Sequence, residues 1–422
     1  MREMRNSGIE WLGNIPTHWR SLPIGALFHE IRTKNVLGNE KQALQFKMGS
    51  IVPKINFDAD SEDYVANTIT SYTLVDYGTI MINGLNLNFD FVTQRVALVK
   101  DKGAITSAYM AIKANDSTQM MPEYSTYLLK TYDNCKAFHN MGGGVRKILN
   151  FDELRRSYII VPPFDEQKKI AEFLDTKCSE IDALIANIQT QIETLEQYKR
   201  STIAEAVTKG LDNHVILKNS TLEWIGEIPA HWDVDKLKYR LKRFEPRNPG
   251  NMIVLSLYRE LGIIPKDSRD DNHNQTSEDT SKYKHVKPGN FVVNKMKAWQ
   301  GSVAVSDYEG IISPAYYVYK FIDTSFDKRY FHYLLRGCYK DEFMRLSGGM
   351  RVGQWDLSAE DLENTTVIIP PIEEQIAISK YLDEKCAEID ACVETKKEQI
   401  ATLEAYKKSI IFEYVTGKKE VE

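Results

Sequence analysis

Two long stretches of the chain repeat apolar residues every three or four positions, and each begins directly after a double proline. In the first, Ile181, Ile185, Ile188, Ile192 and Leu195 follow the 3.5-residue period of a coiled coil. In the second, Ile389, Val393, Ile400, Leu403 and Ile410 keep the same register, with Lys396 and Lys407 interrupting it. Proline suits the first turn of a helix, and the acids that follow, Asp165-Glu166 and Glu373-Glu374, face the positive end of the helix dipole. The spacing therefore predicts long helices starting after Pro162-Pro163 and Pro370-Pro371. The first would run from Asp165 to Thr208, about 65 Å at roughly 1.5 Å per residue. Each seam needs a cover, either the other helix or the helix's own globular domain.

Elsewhere the pattern shortens. Over residues 1–155 and again over 214–362, β-branched and aromatic runs alternate with Gly, Asn and Asp turns. Thr79 to Ile82, Val96 to Val99, Asn290 to Val293 and Ala315 to Tyr319 read as strands; Tyr124 to Lys130 and Tyr330 to Leu335 read as short helices. The expected fold class is α+β: globular domains at 1–155 and 214–362, each followed by a helical region, 156–213 and 363–422.

The textures recur because the chain is internally duplicated. Trp11-Leu-Gly-Asn-Ile-Pro-Thr-His-Trp19 returns as Trp224-Ile-Gly-Glu-Ile-Pro-Ala-His-Trp232, an offset of 213 residues. Pro162-Pro163 with Glu166-Gln167 returns as Pro370-Pro371 with Glu374-Gln375, an offset of 208. Similar ends and dissimilar middles describe one scaffold carrying two different readers. If the two long helices pair, connectivity makes them antiparallel, with a globular domain at each end, a pseudo-two-fold relation, and the carboxyl terminus back near the amino terminus.

Composition then narrows the class. At 422 residues each copy can bury its own core. No apolar run approaches the roughly 20 residues needed to cross a bilayer, and Met1-Arg-Glu-Met-Arg-Asn lacks a secretory pattern, so a soluble, cytoplasmic protein is expected. The five cysteines include no Cys-x-x-Cys pair and no histidines at ligand spacing; reduced thiols and no metal are expected. The net charge of −5 disfavours DNA on average, but phosphates meet local charge, and cations gather in Lys236-Leu-Lys-Tyr-Arg-Leu-Lys-Arg243 and around Lys295 and Lys297. A solvated helix face explains the first of these runs nearly as well.

Two unlike domains at a fixed separation can measure DNA, whose helical turn advances roughly 34 Å. The chain resembles a specificity subunit of a type I restriction and modification system. The resemblance covers nearly its whole length and rests on three duplicated features: Trp-x-Gly-x-Ile-Pro-x-His-Trp, the Pro-Pro-x-x-Glu-Gln stretches ending at Gln167 and Gln375, and Leu-Glu-x-Tyr-Lys at Leu195 to Lys199 and Leu403 to Lys407. It implies that each globular domain reads one half of a split, asymmetric sequence in double-stranded DNA, and that the helices set the spacer. It further implies two methyltransferase subunits on this chain, joined by restriction subunits in the nuclease. S-adenosylmethionine would belong to the methyltransferase and ATP with Mg to the restriction subunit; this chain would bind no cofactor and catalyse nothing. No adenine-methylation motif, Gly-rich cofactor loop or Gly-x-x-x-x-Gly-Lys-Ser/Thr phosphate loop occurs.

Candidate DNA contacts fall in two places per copy. Gly143-Gly-Val-Arg146 and Gly348-Gly-Met-Arg351 form a repeated loop in which glycine permits close approach and arginine can reach phosphate or guanine, or else a tight turn whose arginine pairs with an acid. Asn294-Lys-Met-Lys-Ala-Trp-Gln-Gly301 combines cations, an aromatic and an amide after a strand; its counterpart keeps Asn83 but has Asn86 and Asn88 for the cations. The candidates are thus Asn83, Asn86, Asn88 and Arg146 in the first copy, and Asn294, Lys295, Lys297, Trp299, Gln300 and Arg351 in the second. A repeated element cannot distinguish two targets, so Thr106-Ser-Ala-Tyr109 with Ser313-Pro-Ala-Tyr316, and His18-Trp19 with His231-Trp232, read as framework, the latter as buried packing and capping residues. Glu166, Gln167, Glu374 and Gln375 are candidates for subunit docking, with helix capping as the alternative. Two other functions stay open: a stand-alone DNA-binding regulator, disfavoured by the negative charge and the lack of a helix-turn-helix pattern, and a DNA enzyme with an unrecognised site.

Overall fold

The computed structural model describes residues 2–47, 49–54, 68–89, 91, 94–143, 147–250, 252–258, 262–268, 279–348 and 355–421. The chain forms two compact units, Met1–Ile188 with Lys397–Glu422, and Gln189–Lys396. The first is made of two stretches and the second of one, and the long helices Phe164–Lys209 and Ile372–Val415 each give residues to both.

In the first unit a hairpin (Met4–Asn6 with Asn14–Pro16) leads into Arg20–Pro23, which pairs antiparallel with Tyr158–Val161 just before the double proline. A four-stranded antiparallel sheet follows in the spatial order Phe28–Glu30, Met110–Ala114, Ile80–Ile82, Val96–Leu98. A second sheet has the order Ser50–Pro53, Ala43–Lys47, Gly103–Ile105, Thr73–Val75, with its central pair parallel. Ile80–Ile82 is wholly buried because its two faces serve different clusters: Ile80 and Ile82 face the main core with Ile112, while Met81 joins Val75, Ile105 and Ala111. That two-sided burial is why the segment reads as an unbroken apolar run.

The second unit repeats the plan. Its hairpin is Leu217–Asn219 with Glu227–Pro229, Asp233–Lys236 pairs with Thr366–Ile369, and the sheet order is Leu241–Arg243, Tyr316–Phe321, Phe291–Asn294, Val303–Val305. Again the central strand splits its side chains, Phe291 and Val293 into one cluster, Val292 into another with Ala304 and Val318. The basic run 236–243 is not a helix; it is two strand ends around a short 3-10 turn, with Arg240 paired to Asp235 and Asp323.

Both ways of covering the helical seams occur. In the first unit Ile170, Leu174 and Ile181 from one long helix join Ile410, Ile411 and Val415 from the other in the domain core. Further along, Ile185 and Leu403 are only half-buried, as expected where a single partner helix covers a seam. The helices run antiparallel within each unit: Phe173 packs on Tyr414 and Asp182 pairs with Lys407 in the first, Gln191 meets Lys396 and Lys199 pairs with Asp390 in the second. Lys396 and Lys407 are therefore cross-helix partners rather than defects in the seam. The Lys407–Asp182 and Lys199–Asp390 bridges, 2.6 Å each, are the same contact offset by 208 residues. The chain ends also meet, Arg2 donating to Glu420 at 2.8 Å and Lys418 to the Leu12 carbonyl at 3.0 Å.

One duplicated clamp organises each unit. Gln167 is fully buried; its Oε1 accepts from the Met121 backbone at the start of helix Pro122–Asn134, and its Nε2 donates to the Gln119 and Pro162 carbonyls. Tyr124 on that helix donates at 2.9 Å to the Val415 carbonyl, one of the orphan acceptors at the end of the other long helix. In the second unit Gln375 binds Asp327, Ser325 and Pro370, Asp327 caps helix Lys328–Cys338, and Tyr330 reaches the Val207 carbonyl at 2.8 Å.

Candidate nucleic-acid interface

In each unit the strand shared between two cores ends in a loop, and a second, glycine-bearing loop is stitched to it. In the first unit Ile80–Ile82 runs into Asn83, whose Oδ1 accepts from the Leu85 backbone at 3.1 Å, turning the chain. Gly84 follows because a Cβ there would lie 2.5 Å from the Leu149 carbonyl oxygen. Leu149 N donates to Gly84 O, Leu87 N donates to Lys147 O, and Lys147 N donates to Asn88 Oδ1. Lys147 and Leu149 are thus joined to the residues that follow Asn83.

A buried arginine holds that surface from inside. Arg95 is fully buried, its Nη1 donates to the Asn83 and Leu85 carbonyls at 2.9 and 2.7 Å, and its backbone N donates to Asp133 Oδ2. Burial pushes the Asp133 carboxyl above its ordinary value, against the opposing hydrogen bond from Arg95. With Leu87 also buried, residues 83–87 are anchored to the domain.

The second unit builds the equivalent surface from other residues. Asn294 Oδ1 accepts from Met296 N, a 3-10 turn spans Ala298–Gln300, and Gly301 takes φ +83°. Leu357 N donates to Lys295 O, matching the Leu149 to Gly84 bond, while Gly348 and Asp356 exchange backbone hydrogen bonds. Lys295 Nζ lies 2.8 Å from Asp356, which raises the lysine pKa chiefly through that hydrogen bond. Trp299 packs edge-on against Trp355 at 5.5 Å and donates its Nε1 to the Met296 carbonyl.

These placements sort the candidates. Asn83 and Asn294 both spend their side-chain oxygens inside the same turn, and Asn294 is buried, so these oxygens shape the loops. Lys295 is tied to Asp356 and Asn88 to Lys147. Asn86, in the left-handed region at φ 53°, and Lys297 are exposed; Trp299 and Gln300 are half-buried. Arg146 and Arg351 lie outside the described residues. Sequence reasoning passed over Arg95, which reads as an ordinary surface cation, and Phe89, 72% exposed on the same loop.

Of the docking candidates, Glu166 and Glu374 are half-buried and Gln167 and Gln375 fully buried. Gln167 and Gln375 are the buried clamps, so neither side chain can meet a partner. Glu166 accepts from Trp19 Nε1 at 3.1 Å, lies 2.6 Å from His18 Nε2 and pairs with Arg2. Burial raises its carboxyl, yet the bonds from His18 and Trp19 and the Arg2 charge outweigh that and hold it below its ordinary value. Glu374 binds Trp232 and His231 in the same way. The tryptophans are buried as framework residues should be; the histidines, 45% exposed at the side chain, are not. Among the described residues there is no cluster of His, Cys, Asp and Glu able to hold a metal, and no helix long and apolar enough to cross a membrane.

Comparison with known proteins agrees with the duplicated plan. The type I restriction enzyme MjaVIII specificity subunit of Methanocaldococcus jannaschii is 30% identical over 76% of this chain and 75% of its own. The StySPI specificity subunit of Salmonella potsdam is 21% identical over 96% of this chain and 90% of its own. Among solved structures, one from work on complex assembly and conformational transition of the type I R-M system shares the fold, with a TM-score of 0.70 at 15% identity, covering 96% of this chain and 99% of that one. The type I restriction modification DNA specificity domain matches at residues 69–194 and 234–405, more than half of the sequence, and the chain belongs to that family.

Proposed function

We propose that this chain is the DNA-specificity subunit of a type I restriction and modification system, each unit reading one half of an asymmetric two-part site. The observation that carries this is a framework duplicated contact for contact, through the Gln–Tyr clamps and Lys–Asp bridges, that bears unlike loops at the same place. Repeated parts build the reader and differing parts give each reader its text. The chain itself is non-catalytic and cytoplasmic in this reading. Two methyltransferase subunits bring S-adenosylmethionine, and restriction subunits bring ATP and Mg.

A partner that binds twice needs a repeated surface. With Gln167 and Gln375 buried, the better candidates are Tyr198 and Tyr406, exposed by 50% and 55% at equivalent positions of the two Leu-Glu-x-Tyr-Lys blocks. Exchanging residues 35–150 for those of another family member tests independent reading. Sequencing of methylated DNA is expected to find one half-site changed and the other retained; a change in both would refute it. A stand-alone regulator would instead bind its site tightly with no methyltransferase subunit present.

A further inference from the structure

The first unit's loop presents an apolar ring to solvent. Phe89 is 72% exposed, its N–H donates to the Asn86 carbonyl, and no described ring packs against it. Its neighbour Phe91 is different: it stacks on His139 at 4.9 Å, and Lys136 binds its carbonyl. The residues that lead into Phe89 are anchored by Arg95, by the burial of Leu87 and by the bond from Leu149 to Gly84. At the same place the second unit offers exposed Lys297 and Met296. The difference is chemical, an aromatic hydrocarbon with an amide in one unit and a cation with a thioether in the other.

Base edges in the major groove answer those chemistries unequally. A cation finds the O6 and N7 acceptors of guanine, whereas the apolar group exposed there is the C5 methyl of thymine. We propose that Phe89 is a specificity-determining residue, packing on a thymine methyl group in the half-site read by the first unit. Two cations stand near the loop, Lys136 on the Phe91 carbonyl and Lys147 on the His139 carbonyl, and cations beside a reading loop suit the phosphate backbone. The inference rests on the DNA-reading assignment above, and its test separates the two.

The test uses the full chain in complex with its cognate methyltransferase subunit and a duplex carrying its methylated site. Thymines of the first half-site are replaced one at a time by deoxyuridine, which removes the methyl and leaves base pairing intact. At one position the wild-type complex is expected to bind about three- to tenfold more weakly, the range set by the transfer of one methyl group. Phe89→Ala is expected to bind the thymine and deoxyuridine duplexes equally, while its preference for the second half-site stays as in the wild type. Wild-type indifference to every replacement would overturn the proposal without any variant; so would an alanine variant that still senses the methyl. A complex that fails to prefer the intact first half-site over a scrambled one would instead defeat the DNA-reading assignment itself, and the proposal with it. Phe89 is exposed, so the variant should unfold at the wild-type temperature, which a thermal melt checks.

Discussion

Gly417→Val is expected to destabilise the first unit by about 3–5 kcal/mol, enough to unfold much of it near physiological temperature. Gly417 ends the second long helix at φ +71°, and a Cβ there would sit 2.6 Å from Pro16 Cδ and 2.8 Å from the Trp19 ring. Neither neighbour can yield: Trp19 is buried with its Nε1 bonded to Glu166, and Pro16 lies in a paired strand. The duplicate supplies the control. Gly210 has nearly the same φ, +77°, but its nearest neighbour, Trp232, is 3.3 Å away. Gly210→Val should therefore show mainly the backbone cost, about 1–3 kcal/mol. Urea unfolding followed by tryptophan fluorescence measures both, and equal losses would mean that close packing against the leading hairpin does not matter.

Gln375→Leu should be nearly as damaging to the second unit. The substitution keeps the volume but strands the Asp327 N–H and the Ser325 and Pro370 carbonyls, each now bonded at 2.8 Å. At about 1–3 kcal/mol for each buried group left unpaired, the loss should be about 4 kcal/mol. It also propagates, since Asp327 caps the helix whose Tyr330 binds the end of the first long helix. Gln167→Leu should act alike on the first unit through Met121 and Tyr124. A loss below 1 kcal/mol in either case would show that the glutamine is a passenger in its turn.

What the sequence disclosed and what it hid divide along physical lines. The double prolines and the periodicity located the start of both long helices and the end of the first, and the apolar runs at 80–82 and 291–293 located the central strands, because burial leaves a one-dimensional trace. The duplication also marked where the two copies stop matching. Direction left no such trace. Asn83 and Asn294 look like free amides, yet turn inward to bond their own loops. Gln167 and Gln375 follow acids in a first helical turn and read as surface residues, although both are buried. Lys396 and Lys407 look like seam defects until the antiparallel partner supplies Gln191 and Asp182. In each case the deciding partner lies far away in sequence or in a backbone group, which composition and spacing do not encode.

The most direct test of the central claim is single-molecule methylation sequencing of DNA from cells carrying this chain with its methyltransferase subunit, against cells lacking only this chain. An adenine-methylated motif in two unlike parts, separated by a fixed spacer, is expected, and it should disappear when the chain is removed. Methylation that persists unchanged while the methyltransferase is active would contradict it and favour a regulator that binds DNA alone.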